Sequence, residues 1–180
     1  MGSNVSMNKS VALLAVLLAA CGPGDRQADQ GAAQSNAPSS PLERAALKAG
    51  VIVDAAAVSP VGLYRHRHEA GLDSLCIVKG KDGALDFGLE AIFGEGVECR
   101  GHGTLRASGD KLIMNFARSA CLVVAGYEGD RVSLPGALDV QCASLCSERG
   151  SLEGVSFPRV SREESVARDA RGEDRNRLCS

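Results

Sequence analysis

The sequence predicts a mainly β fold, a single small antiparallel barrel or sandwich of about eight strands with short flanking helices. Three observations predict it. From Gly62 onward, short runs that alternate apolar and polar residues follow one another at 8 to 14-residue spacing, the period-two pattern of half-buried strands. Between them stand Lys81-Asp82-Gly83, Gly94-Glu95-Gly96, Ser108-Gly109-Asp110 and Glu128-Gly129-Asp130, turn sequences whose glycines supply the positive φ that tight hairpins need. No helical stretch long enough for a βαβ crossover lies between the runs, which argues against a parallel sheet.

The clearest run is Ala84 to Phe93. Leu85, Phe87, Leu89, Ala91 and Phe93 point one way and Ala84, Asp86, Gly88, Glu90 and Ile92 the other, so one face belongs to a core. The other runs are Leu63 to His68, Ser74 to Val78, Val97 to Arg106, Lys111 to Ala117, Cys121 to Tyr127, Arg131 to Leu134 and Gly154 to Val160. Pro135 to Gly150 breaks the alternation and carries Cys142 and Cys146. We read it as an irregular excursion between the last two strands, stapled by its cysteines; a metal-thiolate site is the sharper alternative.

Helices are expected only at the flanks. Ser40-Pro41-Leu42-Glu43 places a capping serine before a proline at the first helical position, and Gly50 stands where such a helix stops. Leu42, Ala46 and Ala49 share one face of it, which is expected to pack on the domain. Val51 to Ser59 is ambiguous, with one helical turn expected after Asp54. In the tail, Ser161 and Glu164 have capping-box spacing and Gly172 is a plausible stop, with Val166, Ala167 and Ala170 as a thin apolar face.

Upstream of the domain, Val11 to Cys21 reads VALLAVLLAAC. Its ten apolar residues would make a helix of about 15 Å, short of a bilayer core of roughly 30 Å. With Met7, Asn8 and Lys9 before it, the segment resembles a bacterial prolipoprotein signal, with Leu18-Ala19-Ala20-Cys21 as the lipobox. The resemblance implies that residues 1–20 are removed, that Cys21 is lipidated, and that Gly22 directs the protein to the outer membrane, facing the periplasm. Lipidation with two or more acyl chains gives stable anchoring. Met1-Gly2-Ser3-Asn4-Val5-Ser6 also fits the myristoylation pattern, but the lipobox accounts for more residues. Gly22 to Ser39 has no aliphatic residue larger than Ala and reads as a flexible tether. The expected organisation is therefore a signal over 1–20, lipidated cysteine and tether over 21–39, β domain over 40–160 and tail over 161–180.

A formal net charge of −2 gives no basic footprint for nucleic acid, and aromatics make up 3% with no tryptophan, too few for a stacking platform. Setting Cys21 aside, Cys76, Cys99, Cys121, Cys142, Cys146 and Cys179 remain, an even set suited to disulfides in an oxidising compartment, with connectivity open. Pro60-Val61-Gly62-Leu63-Tyr64 and Leu152-Glu153-Gly154-Val155-Ser156-Phe157 resemble the opening and closing strands of small lipocalin-like barrels of the secreted inhibitor type, with Tyr64 at the family's usual tryptophan.

His66 and His68 project to one face of a strand, and with His102 they could form a zinc site; the bland reading is a solvated polar face. Glu90, Glu98 and Asp139 have no recognisable catalytic spacing, and no G-x-S-x-G, H-E-x-x-H or P-loop motif is present. Gly101-His102-Gly103 lacks the rest of a phosphate loop. The expected function is a non-enzymatic binding module without a cofactor, tethered to the membrane and taking an envelope protein or a small ligand. A periplasmic metal-binding protein is the alternative, and a hydrolase assembled only in three dimensions a third. Replacing the lipidated thiol tests the address: Cys21→Ser is expected to leave an unprocessed precursor that incorporates no palmitate, measured by metabolic labelling.

Overall fold

The computed structural model describes residues 40–179. The signal segment, Cys21 and the tether lie outside the described residues. Eight antiparallel strands form one closed barrel in simple sequence order: β1 (Gly62–His68), β2 (Gly71–Lys79), β3 (Leu85–Ile92), β4 (Glu98–Ser108), β5 (Lys111–Phe116), β6 (Leu122–Tyr127), β7 (Arg131–Ser133) and β8 (Ser156–Ser161). The barrel closes where Tyr64 of β1 pairs with Arg159 of β8, so the sheet has no terminal edge strand, although β6 meets the short β7 only at Gly126 and Tyr127. The eight expected runs each contain a strand, and the expected excursion lies between β7 and β8. Phe93 falls just past the end of β3 and is 39% exposed rather than inward-facing.

Strand register decides what faces inward. Leu75 and Ile77 of β2, Phe87 and Leu89 of β3, Leu112 and Met114 of β5, and Phe157 of β8 are among the residues that meet in one buried cluster. Phe87 and Phe116 pack edge to face with ring centroids 4.9 Å apart. Gly101 of β4 makes room for this pair, because a Cβ there would lie 2.5 Å from the Phe116 ring. Burying each large apolar side chain contributes about 1.5–3 kcal/mol, and eight strands enclose just enough space for them.

The tail forms a second, external cluster. Its helix α2 (Glu164–Arg168) and the segment after it place Ala167, Ala170, Leu178 and Cys179 against Leu63, Cys76 and Val78 on the outside of β1 and β2. Gly88 on β3 lets the tail pass, since a Cβ at that position would sit 1.9 Å from the Leu178 carbonyl. β3 is therefore buried on both faces along most of its length, not on one. The expected capping box is not formed. Ser161 Oγ accepts from the Glu163 amide at 3.1 Å, while Glu164 Oε1 accepts from the Lys79 amide at 3.1 Å, so this carboxylate ties the helix to the end of β2. The helix stops at Asp169, and Gly172 instead lies against the Glu90 carboxylate.

At the other flank, helix α1 (Pro41–Lys48) has the expected cap, with Ser40 Oγ accepting from the Glu43 amide at 3.0 Å. It does not bury its apolar face: no α1 residue is buried and Leu42 is 79% exposed. One leucine and a few alanines offer too little area to offset the ordering of a docked helix. The turn expected after Asp54 is a 3-10 turn over Ala55–Ala57, with Asp54 Oδ1 accepting from the Ala56 amide at 3.1 Å.

Three disulfides join these parts: Cys76–Cys179 ties the tail to β2, while Cys99–Cys146 and Cys121–Cys142 tie the excursion to the barrel. Non-reducing peptide mapping is expected to return these three pairs. Because Cys76–Cys179 spans 103 residues, the double variant Cys76→Ala, Cys179→Ala is expected to lose about 2–4 kcal/mol in denaturant unfolding while keeping its β circular dichroism signal.

Candidate functional site

A barrel can act through its interior, its rim or its outer wall. The interior is closed at both ends. At one end, residues 54–61 cross the opening and are held by β1, β6 and β8. Tyr64 Oη donates to the Pro60 carbonyl at 2.7 Å, and Tyr127 Oη lies 3.0 Å from the Ser59 carbonyl and 3.1 Å from that of Gly129. The Arg159 guanidinium stands 5.0 Å from the Tyr64 ring and 5.7 Å from the Tyr127 ring. It donates to the carbonyls of Ser59 at 2.9 Å and Val61 at 3.3 Å, and to Tyr127 Oη. Burial pushes the Tyr64 phenol far above its usual range and the Tyr127 phenol upward as well, with Arg159 opposing both. At neutral pH both phenols stay protonated and act as structural donors. At the opposite end, the excursion between β7 and β8 inserts Leu152 and Cys142 into the core. The interior is packed with side chains.

The rim holds two of the three expected metal ligands. His68 Nε2 lies 3.1 Å from Asp73 Oδ1, and His66 Nδ1 lies 3.9 Å from Asp73 Oδ2. Asp73 Oδ1 also accepts from the Ile92 amide at 2.9 Å, so this carboxylate serves the β2–β3 pairing. His102 is not part of the group. It pairs with Gly88 on β3, and the sheet order puts β2 and β3 between its strand and β1, about 14 Å of lateral separation. Among the described residues, no group of three His, Cys, Asp or Glu side chains is placed to hold a metal ion. Cys146 is disulfide-bonded to Cys99 of β4 and Cys142 to Cys121 just before β6, which leaves no thiolate pair for the metal-thiolate alternative.

The expected carboxylate candidates have structural partners. Arg100 gathers Glu90, Glu98 and Asp174, and Glu90 Oε2 accepts from the Glu173 amide at 2.9 Å. Burial raises the Glu90 carboxyl above the usual carboxylate range, outweighing the Glu173 amide and the charge of Arg100. This network clamps the tail over β3 and β4. Asp139 Oδ1 accepts from the Gln141 amide at 2.8 Å and caps the 3-10 helix of the excursion.

The outer wall carries a feature that the sequence reading missed. On β4, β5 and β6, Thr104, Asn115 and Leu122 form one cross-strand row, and Arg106, Ile113 and Val124 the next. Leu122 and Val124 are 54% and 48% exposed. A groove of about 610 Å3 runs along this face, bordered by Ala84, Leu85 and Ala107. The signal for it lies in Leu122-Val123-Val124-Ala125. A strand with only one buried face needs apolar residues at alternate positions, and here they are continuous. The similar run Leu75 to Val78 on β2 is accounted for by the tail, which covers its outer side. Among the described residues nothing buries the outer side of β6 in the same way.

If this face is surplus to folding, its substitution leaves stability nearly unchanged. Leu122→Gln is expected to shift unfolding free energy by less than about 1 kcal/mol, against about 3–5 kcal/mol for Phe116→Ala, both read from thermal or denaturant midpoints. Comparison of the chain with protein-family models, with curated proteins and with solved structures found no match, so its function is argued from these residues.

Proposed function

We propose that this chain is a lipid-anchored protein of the bacterial outer membrane, facing the periplasm, whose lipocalin-like barrel is a non-enzymatic module that binds a protein partner through its outer wall. The observation that carries the reading is the pairing of a filled interior with an apolar outer face on β6. A carrier needs a hollow interior, and this barrel spends its inward positions on Phe87, Phe116, Phe157 and Met114. The lipobox residues ending at Cys21 and the polar tether Gly22 to Ser39 support surface attachment, and three disulfides suit an oxidising compartment. An exposed run of aliphatic side chains rimmed by polar residues is the usual character of a protein contact.

In vivo photo-crosslinking tests the reading. A photoreactive residue at Val124 is expected to yield a discrete protein adduct, and one at Val160 on the outer side of β8 is expected to yield none. Adducts absent from every outer position, together with a small molecule retained in native mass spectrometry, would replace protein binding with ligand carriage.

A further inference from the structure

We infer that the groove over β4, β5 and β6 docks an internal segment of a partner protein in which an acidic side chain lies next to aliphatic ones. The inference rests on the protein-binding reading above and narrows it to one face and one partner chemistry. Ile113 and Leu122 line the groove, and exposed Val124, the cross-strand partner of Ile113, lies beside it to complete an apolar corner across β5 and β6. Across β4 from that corner stands Arg106, exposed and without an acidic partner among the described residues. Arg100 and Arg131 of the barrel and Arg168 of the tail helix have carboxylates nearby, while Arg65 and Arg67 of β1, like Arg106, have none among the described residues; of these three only Arg106 borders the groove. An unpaired guanidinium beside desolvating aliphatic surface favours a carboxylate, because exclusion of water strengthens the charge pair and the fork geometry of Arg fixes its orientation.

The form of the site selects the form of the ligand. The face is an open groove on the sheet and not a closed pocket, a form suited to a segment of chain lying across it. Across the groove β4, β5 and β6 are paired with one another, so recognition there falls to side chains on the outer face and not to backbone amides aimed at a chain-terminal carboxylate. The carboxylate is therefore that of an internal Asp or Glu. Thr104 and Asn115, adjacent on the neighbouring row, offer a hydroxyl and an amide for hydrogen bonds to the segment's backbone. Rows two residues apart along a strand are separated by about 7 Å, which is also the spacing of alternate side chains in an extended peptide. An extended segment can thus set one aliphatic side chain by Leu122 and another by Val124 while its acidic residue meets Arg106.

Panning with the full chain provides the test, using short N-acetylated, C-amidated peptides randomised at interior positions. Wild-type protein is expected to enrich peptides with Asp or Glu next to aliphatic residues. Arg106→Glu is expected to weaken the selected peptides by about tenfold or more and to enrich Lys or Arg at the acidic position instead. Leu122→Gln is expected to weaken both kinds of peptide, and Val160→Gln neither. Circular dichroism and the thermal midpoint of each variant show that the barrel is intact. The inference is overturned if no peptide is enriched, if the enriched peptides lack an acid, or if Arg106→Glu leaves their affinity unchanged. It is equally overturned if the face proves to hold a second copy of this chain, or an anionic vesicle, in a manner lost with Leu122→Gln. Adducts at Val124 combined with failure of the panning would remove the acidic-segment chemistry and keep the protein-binding reading; absence of adducts at all outer positions would remove both.

Discussion

An eight-stranded sheet that closes on itself encloses a space only as wide as the side chains that fill it, and the rest of this structure follows from that constraint. Large and small inward residues must alternate around the barrel to fill it, which is why Phe87, Phe116 and Phe157 are buried and why Gly101 lacks a side chain where Phe116 crosses. Closure also leaves two open ends. These are covered by chain that is not part of the sheet. Residues 54–61 lie over one end, held by Arg159 and two tyrosines, and the excursion between β7 and β8 lies over the other, held by two disulfides.

Because the interior is filled in holding the barrel closed, the surfaces left for contact are the rim and the outer wall. Two stretches of that wall are more apolar than an exposed strand requires. On β2 the excess is buried by the tail, whose docking combines a small apolar cluster, the carboxylates around Arg100 and the Cys76–Cys179 bridge. The three differ in range. The apolar cluster offers a few kcal/mol, the disulfide restricts the unfolded chain, and the network about Arg100 is weakened by the cost of burying Glu90. On β6 the excess has no such cover among the described residues.

The candidate site was legible only in part, for reasons that differ by residue. The rim pair His66 and His68 was readable from period-two spacing, whereas their shared partner Asp73 depends on the β1–β2 register and the separation of His102 on the order of four strands. Glu90 looked like an unassigned carboxylate because its partners, Arg100 and the Glu173 amide, are distant in sequence or belong to the tail. The capping-box spacing of Ser161 and Glu164 was present, but a longer-range bond to the end of β2 took the glutamate. The groove needed both the continuous apolar run on β6 and the knowledge that β4 sets Arg106 beside it.

What the sequence determined by itself was local: the eight strands, the glycine turns between them, the Ser40 and Asp54 caps and the excursion before β8, since alternation, positive φ and capping act over a few residues. Tertiary structure decided which cysteines pair, which face of β3 is covered, whether α1 docks and where an exposed apolar face meets an unpaired arginine. Each of those depends on residues far apart in the chain being brought together by barrel closure, and no spacing within a single run encodes that distance.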